Sequence, residues 1–199
     1  VQAAGHNAYN PGEGTRSVAK LFVGAEQLLL DSFRLAMNVH ASGYRPDIII
    51  GIWRGGTPVG IAVHEYFLSK GEQPYHTAVK SQSYLTIEKR GKIDVSGTEH
   101  VMKLLGQQPR MVLLVDDVFD TGRTMEYLSA LFRGARPETE VRIAVAYWKP
   151  AKNETSLRPD YWLHETSEWI VFPHEIEGLT DEELREKDAG LHRLLTGRP

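Results

Sequence analysis

Hydrophobic positions along this chain change period several times. Residues 18–41 carry Leu21, Leu28, Leu29, Phe33, Ala36, Met37 and Val39 at helical spacing. This predicts a helix over about 25–42, ended near Gly43. Pro46-Asp47 then leads into Ile48-Ile49-Ile50-Gly51-Ile52, an unbroken apolar run. Such a run suits a strand covered on both faces. Trp53-Arg54-Gly55-Gly56-Thr57-Pro58 reads as a turn, and 59–69 as a helix with Pro58 at its first turn.

A polar stretch follows from Gly71 to Gly97, with Ala78-Val79-Lys80 as a possible short strand inside it. It is long for a simple connection and predicts a functional loop or a hairpin arm. Residues 101–105 fit a helical turn or a strand approach. The pattern then gives a buried strand over 111–115, a helix over 124–134 and a strand over 140–148. Aromatic-rich pieces close the chain: Tyr161-Trp162-Leu163 and Trp169-Ile170-Val171-Phe172-Pro173. A last short helix is expected from Thr180, as N-cap with Glu183 three residues on, to about Lys187.

Alternation of apolar strands with helices predicts an α/β fold, with a single, mostly parallel sheet flanked by helices. Ligands of such sheets sit at the carboxyl ends of strands. Two of those ends carry Arg-Gly-Gly and Asp-Asp, so both are expected at one crevice.

The 199 residues fit one domain able to bury its own core. There are no cysteines, which excludes disulfides and thiolate metal sites. No apolar stretch approaches the roughly 20 residues of a membrane span. Residues 1–14 lack the basic and apolar regions of a signal peptide. The expectation is a soluble, cytoplasmic protein. A net charge of -3, from 23 basic and 26 acidic residues, argues against a nucleic-acid partner. It leaves room for one small anion held by local dipoles.

The chemistry concentrates in Val112-Leu113-Leu114-Val115-Asp116-Asp117-Val118-Phe119-Asp120-Thr121-Gly122-Arg123-Thr124. After a strand ending at Val115, the two acids stand at the crevice rim. Adjacent strand residues face opposite ways. A turn through Phe119–Gly122 would be needed to bring both into one pocket. Gly122 can take a positive φ, Thr121 and Thr124 add hydroxyls, and the following helix offers free N–H groups. Carboxylates beside a phosphate require hydroxyls or a hard cation between them. The pattern therefore calls for a ligand with both phosphate and a diol. Asp-x-x-Asp-Thr-Gly alone is equally a solvated capping turn.

The full run resembles the signature of the type I phosphoribosyltransferases, which use 5-phosphoribosyl-1-pyrophosphate (PRPP). That resemblance implies their fold, with a small hood over the base, and Mg²⁺ as cofactor. It implies that Asp116 and Asp117 reach the ribose hydroxyls, directly or through Mg²⁺. Asp120, Thr121, Gly122, Arg123 and Thr124 would wrap the 5′-phosphate. In the 6-oxopurine branch the third acid, here Asp120, lies near purine N7 as general base.

Other segments gain meaning beside it. Arg54-Gly55-Gly56 alone reads as a structural turn. It resembles the pyrophosphate loop of the bacterial xanthine-guanine enzymes. Ser81-Gln82-Ser83-Tyr84 alone reads as a hairpin loop. By resemblance Ser83 and Tyr84 belong to the loop that closes over PRPP, with Lys80 close enough to help. Lys149-Pro150 leaves the sheet, because Pro cannot extend a central ladder. Trp169–Glu175 alone reads as an amphipathic strand with a core Trp.

The resemblance to Lys-Pro followed by Trp-Ile-x-x-Pro-Trp-Asp/Glu implies more. Trp169 would stack on the purine, Lys149 would read O6 and the backbone of Ile170 would meet the C2 substituent. Glu175 would join Asp116 and Asp117 near the metal. His174 stands where Trp is usual. Tyr161 and Trp162 are expected to wall the hood.

The likeness covers about residues 20–177. The expected organisation is an arm at 1–15, the enzyme domain at 16–177 with 149–177 recognising the base, and a helical tail at 178–199. The implied reaction is phosphoribosyl transfer from PRPP to N9 of a 6-oxopurine (hypoxanthine, guanine or xanthine). A homodimer is common in the family. The competing reading is a non-catalytic PRPP- or nucleotide-sensing regulator on the same fold. The remaining histidines, His6, His40, His64, His76, His100, His164 and His192, show no zinc spacing.

Overall fold

The computed structural model describes residues 20–83, 93–108 and 110–197. Its main sheet has six strands: β2 (Ile48–Trp53), β3 (Tyr75–Ser83), β4 (Ile93–Ser96), β5 (Met111–Phe119), β6 (Glu140–Trp148) and β7 (Tyr161–Glu165). Their order is β4-β3-β2-β5-β6-β7. All neighbours are parallel except the edge pair β3–β4. The polar stretch is thus a hairpin, and its first strand runs well beyond Ala78-Val79-Lys80.

Helices α1 (Ala25–Ala41) and α2 (Gly56–Ser69) contribute to one core, α3 (Glu99–Gln107) and α4 (Arg123–Ala135) to the other. The period of two along the central strands feeds both layers. Ile49, Leu113 and Val115 pack with Leu35, Val39, Val63 and Phe67. Ile48, Ile50, Val112 and Leu114 pack with Val101, Leu105, Leu128 and Phe132. This is why the sequence reads as unbroken apolar runs there. Burying each such side chain contributes about 1.5–3 kcal/mol.

Two features depart from the sequence expectation. Strand β5 does not end at Val115; it continues through both acids to Phe119, paired with β6 as far as Trp148. Tyr161 and Trp162 do not wall a hood. They lie on β7 in the main sheet, where Tyr161 Oη meets Ser42 Oγ at 2.7 Å and the Trp162 indole stands edge-on to Trp148.

A separate two-stranded sheet joins β1 (Lys20–Phe22) to β8 (Trp169–Val171), parallel and 149 residues apart in register, as in Lys20 with Trp169. Helices α5 (Asp181–Lys187) and α6 (Ala189–Thr196) follow. The Thr180–Glu183 capping box is formed as the sequence suggests. Helix α6, within the expected helical tail though given no bounds of its own, is capped by Asp188, which accepts from Leu191 N. Among the described residues no helix is long and apolar enough to cross a membrane.

Candidate active site

Parallel strands β2 and β5 are neighbours, so the segments that follow them emerge on the same edge of the sheet. A cavity of about 390 Å³ opens there. Its walls include Arg54, Gly55, Asp116, Asp117, Asp120, Thr124, Lys149, Trp169, Ile170 and Glu175. Residues far apart in sequence are thus brought together by topology. A smaller cavity of about 180 Å³ adjoins it, lined by Asp116, Asp120, Thr121, Gly122 and Thr124 among others.

The glycine turn is packed against the acids. A Cβ on Gly55 would meet Asp117 Oδ2 at 1.9 Å, and one on Gly56 would meet the Val115 carbonyl at 2.3 Å. Gly56 itself starts α2 and lines neither cavity. Gly55 serves close approach to β5, a use that the sequence reading assigned to a phosphate.

Both acids line the larger cavity although the strand does not turn between them, so the Phe119–Gly122 turn is not what unites them. Asp117 is nearly buried, and Asp117 N donates to Asp116 Oδ1 at 3.0 Å. Burial, and then the charge of Asp117, push the Asp116 carboxyl well above the usual carboxylate range. His174 Nε2 lies 3.4 Å from Asp117 Oδ2, its ring stacked on Phe172. The unusual histidine therefore touches an acid of the site directly.

The loop after β5 is set by Gly122, whose φ of 80° a side chain rarely adopts. It is the N-cap of α4. Thr124 Oγ1 lies 3.2 Å from Ser81 Oγ on β3. Ser81 lines the cavity, and the sequence reading passed over it for Ser83 and Tyr84. Ser83 ends β3; its side chain and Tyr84 lie outside the described residues. Arg123 points elsewhere, pairing with Glu154 at 2.5 Å.

On the base side, Lys149 is buried and Trp169 is 56 % exposed, so Trp169 is no core residue. The Lys149 ammonium lies 4.0 Å from Asp120 Oδ2 and 5.9 Å from the Trp169 ring centre. Burial pulls the Lys149 pKa below the usual lysine value, against the pull of Asp120. Asp120 Oδ1 is buried without a partner. A buried acceptor left open is costly unless a ligand fills it.

A profile of the phosphoribosyl transferase domain matches residues 24–178. The chain belongs to the phosphoribosyltransferase family. Hypoxanthine-guanine phosphoribosyltransferase of Streptococcus mutans is 23 % identical over 161 residues, 78 % of this chain and 84 % of that protein. A purine phosphoribosyltransferase structure from Pyrococcus horikoshii superposes with a TM-score of 0.62 at 27 % identity, covering 81 % of this chain and 97 % of that one. The xanthine-guanine-hypoxanthine phosphoribosyltransferase of Helicobacter pylori gives 0.60 at 19 %, covering 86 % and 99 %.

Phosphoribosyltransferases of this kind imply a divalent cation, and the acid pair suits one. Two adjacent carboxylates, one pushed up by burial and then by the charge of the other, form a donor set that a cation would relieve. Mg²⁺ commonly takes one or two carboxylates and completes its shell with water and substrate phosphates. No group of three acidic or histidine side chains forms a metal cage among the described residues. Glu175, grouped with the acid pair by resemblance, lines the same cavity and accepts from its own turn at Phe172 N, 3.2 Å away.

Proposed function

We propose that the protein transfers the 5-phosphoribosyl group from PRPP to N9 of a 6-oxopurine, with Mg²⁺ as cofactor. The observation that carries this reading is the single cavity shared by Arg54, Asp116, Asp117, Asp120, Lys149 and Trp169. Two of the named relatives carry hypoxanthine, guanine or xanthine in their names, and this cavity joins a phosphate-and-diol end to an aromatic, lysine-bearing end.

Asp116 and Asp117 hold the ribose hydroxyls as positive character grows at the anomeric carbon. Asp120, Thr121, Gly122 and Thr124 receive the 5′-phosphate at the start of α4. Arg54 and the Gly55 turn receive the pyrophosphate. Ser83 and Tyr84 are assigned to the closing loop, and Arg123 to the 5′-phosphate loop at the start of α4. Asp116 and Asp117 would hold Mg²⁺, which would offset the charge of the departing pyrophosphate.

Trp169 stacks on the purine, Lys149 donates to O6 and the Ile170 backbone meets C2. N9 is then aligned with C1′. As the N9–C1′ bond forms and the bond to pyrophosphate breaks, Asp120 takes the proton at N7. Its unpartnered oxygen is the natural acceptor. Glu175 stands at the pyrophosphate side. A homodimer, as is common among these enzymes, fits the same reading.

The test is purified protein with PRPP and Mg²⁺ and each of hypoxanthine, guanine, xanthine and adenine, followed for nucleotide. Turnover is expected with at least one 6-oxopurine. No product with any of the first three overturns the reading.

A further inference from the structure

The turn that follows β6 brings a second lysine, itself outside the cavity lining, close to the Trp169 ring that walls the base end. Pro150–Lys152 forms one short 3-10 turn, and Lys152 N donates to the Lys149 carbonyl. This fold-back sets Lys152 Nζ 5.7 Å from the Trp169 ring centre, beside Lys149 Nζ at 5.9 Å. Both ammoniums converge on the same Asp120 oxygen, at 3.9 and 4.0 Å. One carboxylate therefore serves two cations at this end.

Acids at the sugar end also act on Lys149: Asp117 and Glu175 favour its ammonium, as Asp120 does. Arg123 and Glu154 neutralise each other in their own ion pair. Asp117 faces Gly55 and His174 at the sugar end. Glu175 is engaged by the Phe172 backbone. If Asp120 takes the purine N7 proton, both ammoniums beside the ring lose the charge of their shared carboxylate.

We propose that Lys152 is a specificity residue that selects an anionic purine. Resting on the function proposed above, this names the preferred substrate as the 2,6-dioxopurine, xanthine. Xanthine is the most acidic of the three candidates and loses a ring proton close to neutral pH, where hypoxanthine and guanine stay neutral. Delocalised negative charge over its ring and oxygens meets two ammoniums across a short distance, in a site that the stacked base shields from water. A monoanion beside the two ammoniums is favoured there over a neutral isostere. Lys152 is half-exposed and held in its single 3-10 turn by its backbone N–H, so replacing its side chain leaves the scaffold in place.

The experiment compares kcat/KM for xanthine and hypoxanthine in the wild type, Lys152→Met and Lys152→Arg. Lys152→Met keeps the apolar stem and removes the charge; Lys152→Arg keeps the charge. The xanthine-to-hypoxanthine ratio is expected to fall roughly tenfold in Lys152→Met and to be retained in Lys152→Arg. The wild-type ratio is expected to rise from mildly acid to mildly alkaline pH as xanthine ionises, and this rise should flatten in Lys152→Met. A ratio unmoved by Lys152→Met, or equal losses for both purines, overturns the proposal while leaving the transferase reading intact. Absence of turnover with every 6-oxopurine strikes the transferase reading itself.

Discussion

Gly55 and Asp117 are locked together: the glycine's missing side chain is the space that the acid occupies, since a Cβ there would lie 1.9 Å from Asp117 Oδ2. The contact ties the loop after β2 to the acid pair on β5. Gly55→Ala must move either the loop or the carboxylate. Overpacking of this kind costs about 1–3 kcal/mol. The expected outcome is a lower melting midpoint together with a loss of PRPP binding, read by calorimetry and by PRPP titration. Normal PRPP affinity in a stable Gly55→Ala protein would show that the two sites are not coupled.

Asp120 offers one buried, unpartnered oxygen and shares the other between two lysines. Asp120→Asn keeps the shape and removes the basicity. Turnover is expected to drop by about 10²–10⁴, the usual range for a lost general base, with a much smaller change in PRPP affinity. Equal loss of both would assign Asp120 to binding alone.

Lys149 illustrates a conflict between stability and function. Burial lowers its pKa, so the fold disfavours the ammonium that base recognition uses. Lys149→Met removes a buried charge and keeps the stem. It should raise the melting midpoint, by about 1 kcal/mol in stability, while raising the purine KM at least about tenfold. A destabilised variant would show that the Asp120 pair outweighs the burial cost.

Much of this site is legible in the sequence because it is local. The run from Val112 to Thr124 carries the strand, the acids and the turn in one piece, and Gly122 takes the positive φ that the turn needs. The Thr180–Glu183 capping box is likewise a local pattern, and it forms as written. What escaped depends on partners distant in sequence. Strand β5 runs on past Val115 because β6 continues to pair with it, which the polarity of Asp116 and Asp117 hides. Tyr161 and Trp162 join the main sheet because β6 presents a free edge to them. Lys20–Phe22 is too short to read as a strand until Trp169–Val171 lies beside it. The contact of His174 with Asp117 crosses 57 positions and has no local pattern at all.

Asp31 shows the same kind of distant pairing, and it sets a pH dependence. Its carboxylate is buried on α1 and takes hydrogen bonds from Gln27 and Arg34, with His164 Nε2 on β7 at 2.9 Å. Burial acts to raise its pKa, but the bonds of Gln27, His164 and Arg34 together hold it below the usual value. A carboxyl depressed in the fold contributes stability above its unfolded pKa of about 4 and loses it as pH falls through the folded value. Asp31→Asn should therefore be less stable than the wild type near neutral pH, by about 1–3 kcal/mol, in denaturant melts. The gap should close below about pH 4. A gap that persists in acid would mean that the charge is not what Asp31 contributes.

The C-terminal tail gives the last prediction, because it lies past the end of the family match at residue 178 and still grips the site. Lys187, the last residue of α5, donates to the Phe172 carbonyl at 2.5 Å and also to the Glu175 carbonyl. Lys20 on β1 pairs with Glu183 on the same helix at 2.5 Å. These bonds fasten the turn that carries Phe172, His174 and Glu175, two of which wall the cavity. Burial lowers the Lys187 pKa, yet the carbonyls it caps would otherwise be left without that donor. Lys187→Met should loosen this turn without touching the phosphate loop at Gly122. The purine KM is expected to rise several-fold, while PRPP affinity measured without purine changes by less than about twofold. A parallel loss of both, or an unchanged purine KM in a folded variant, would remove the tail from any part in holding the base.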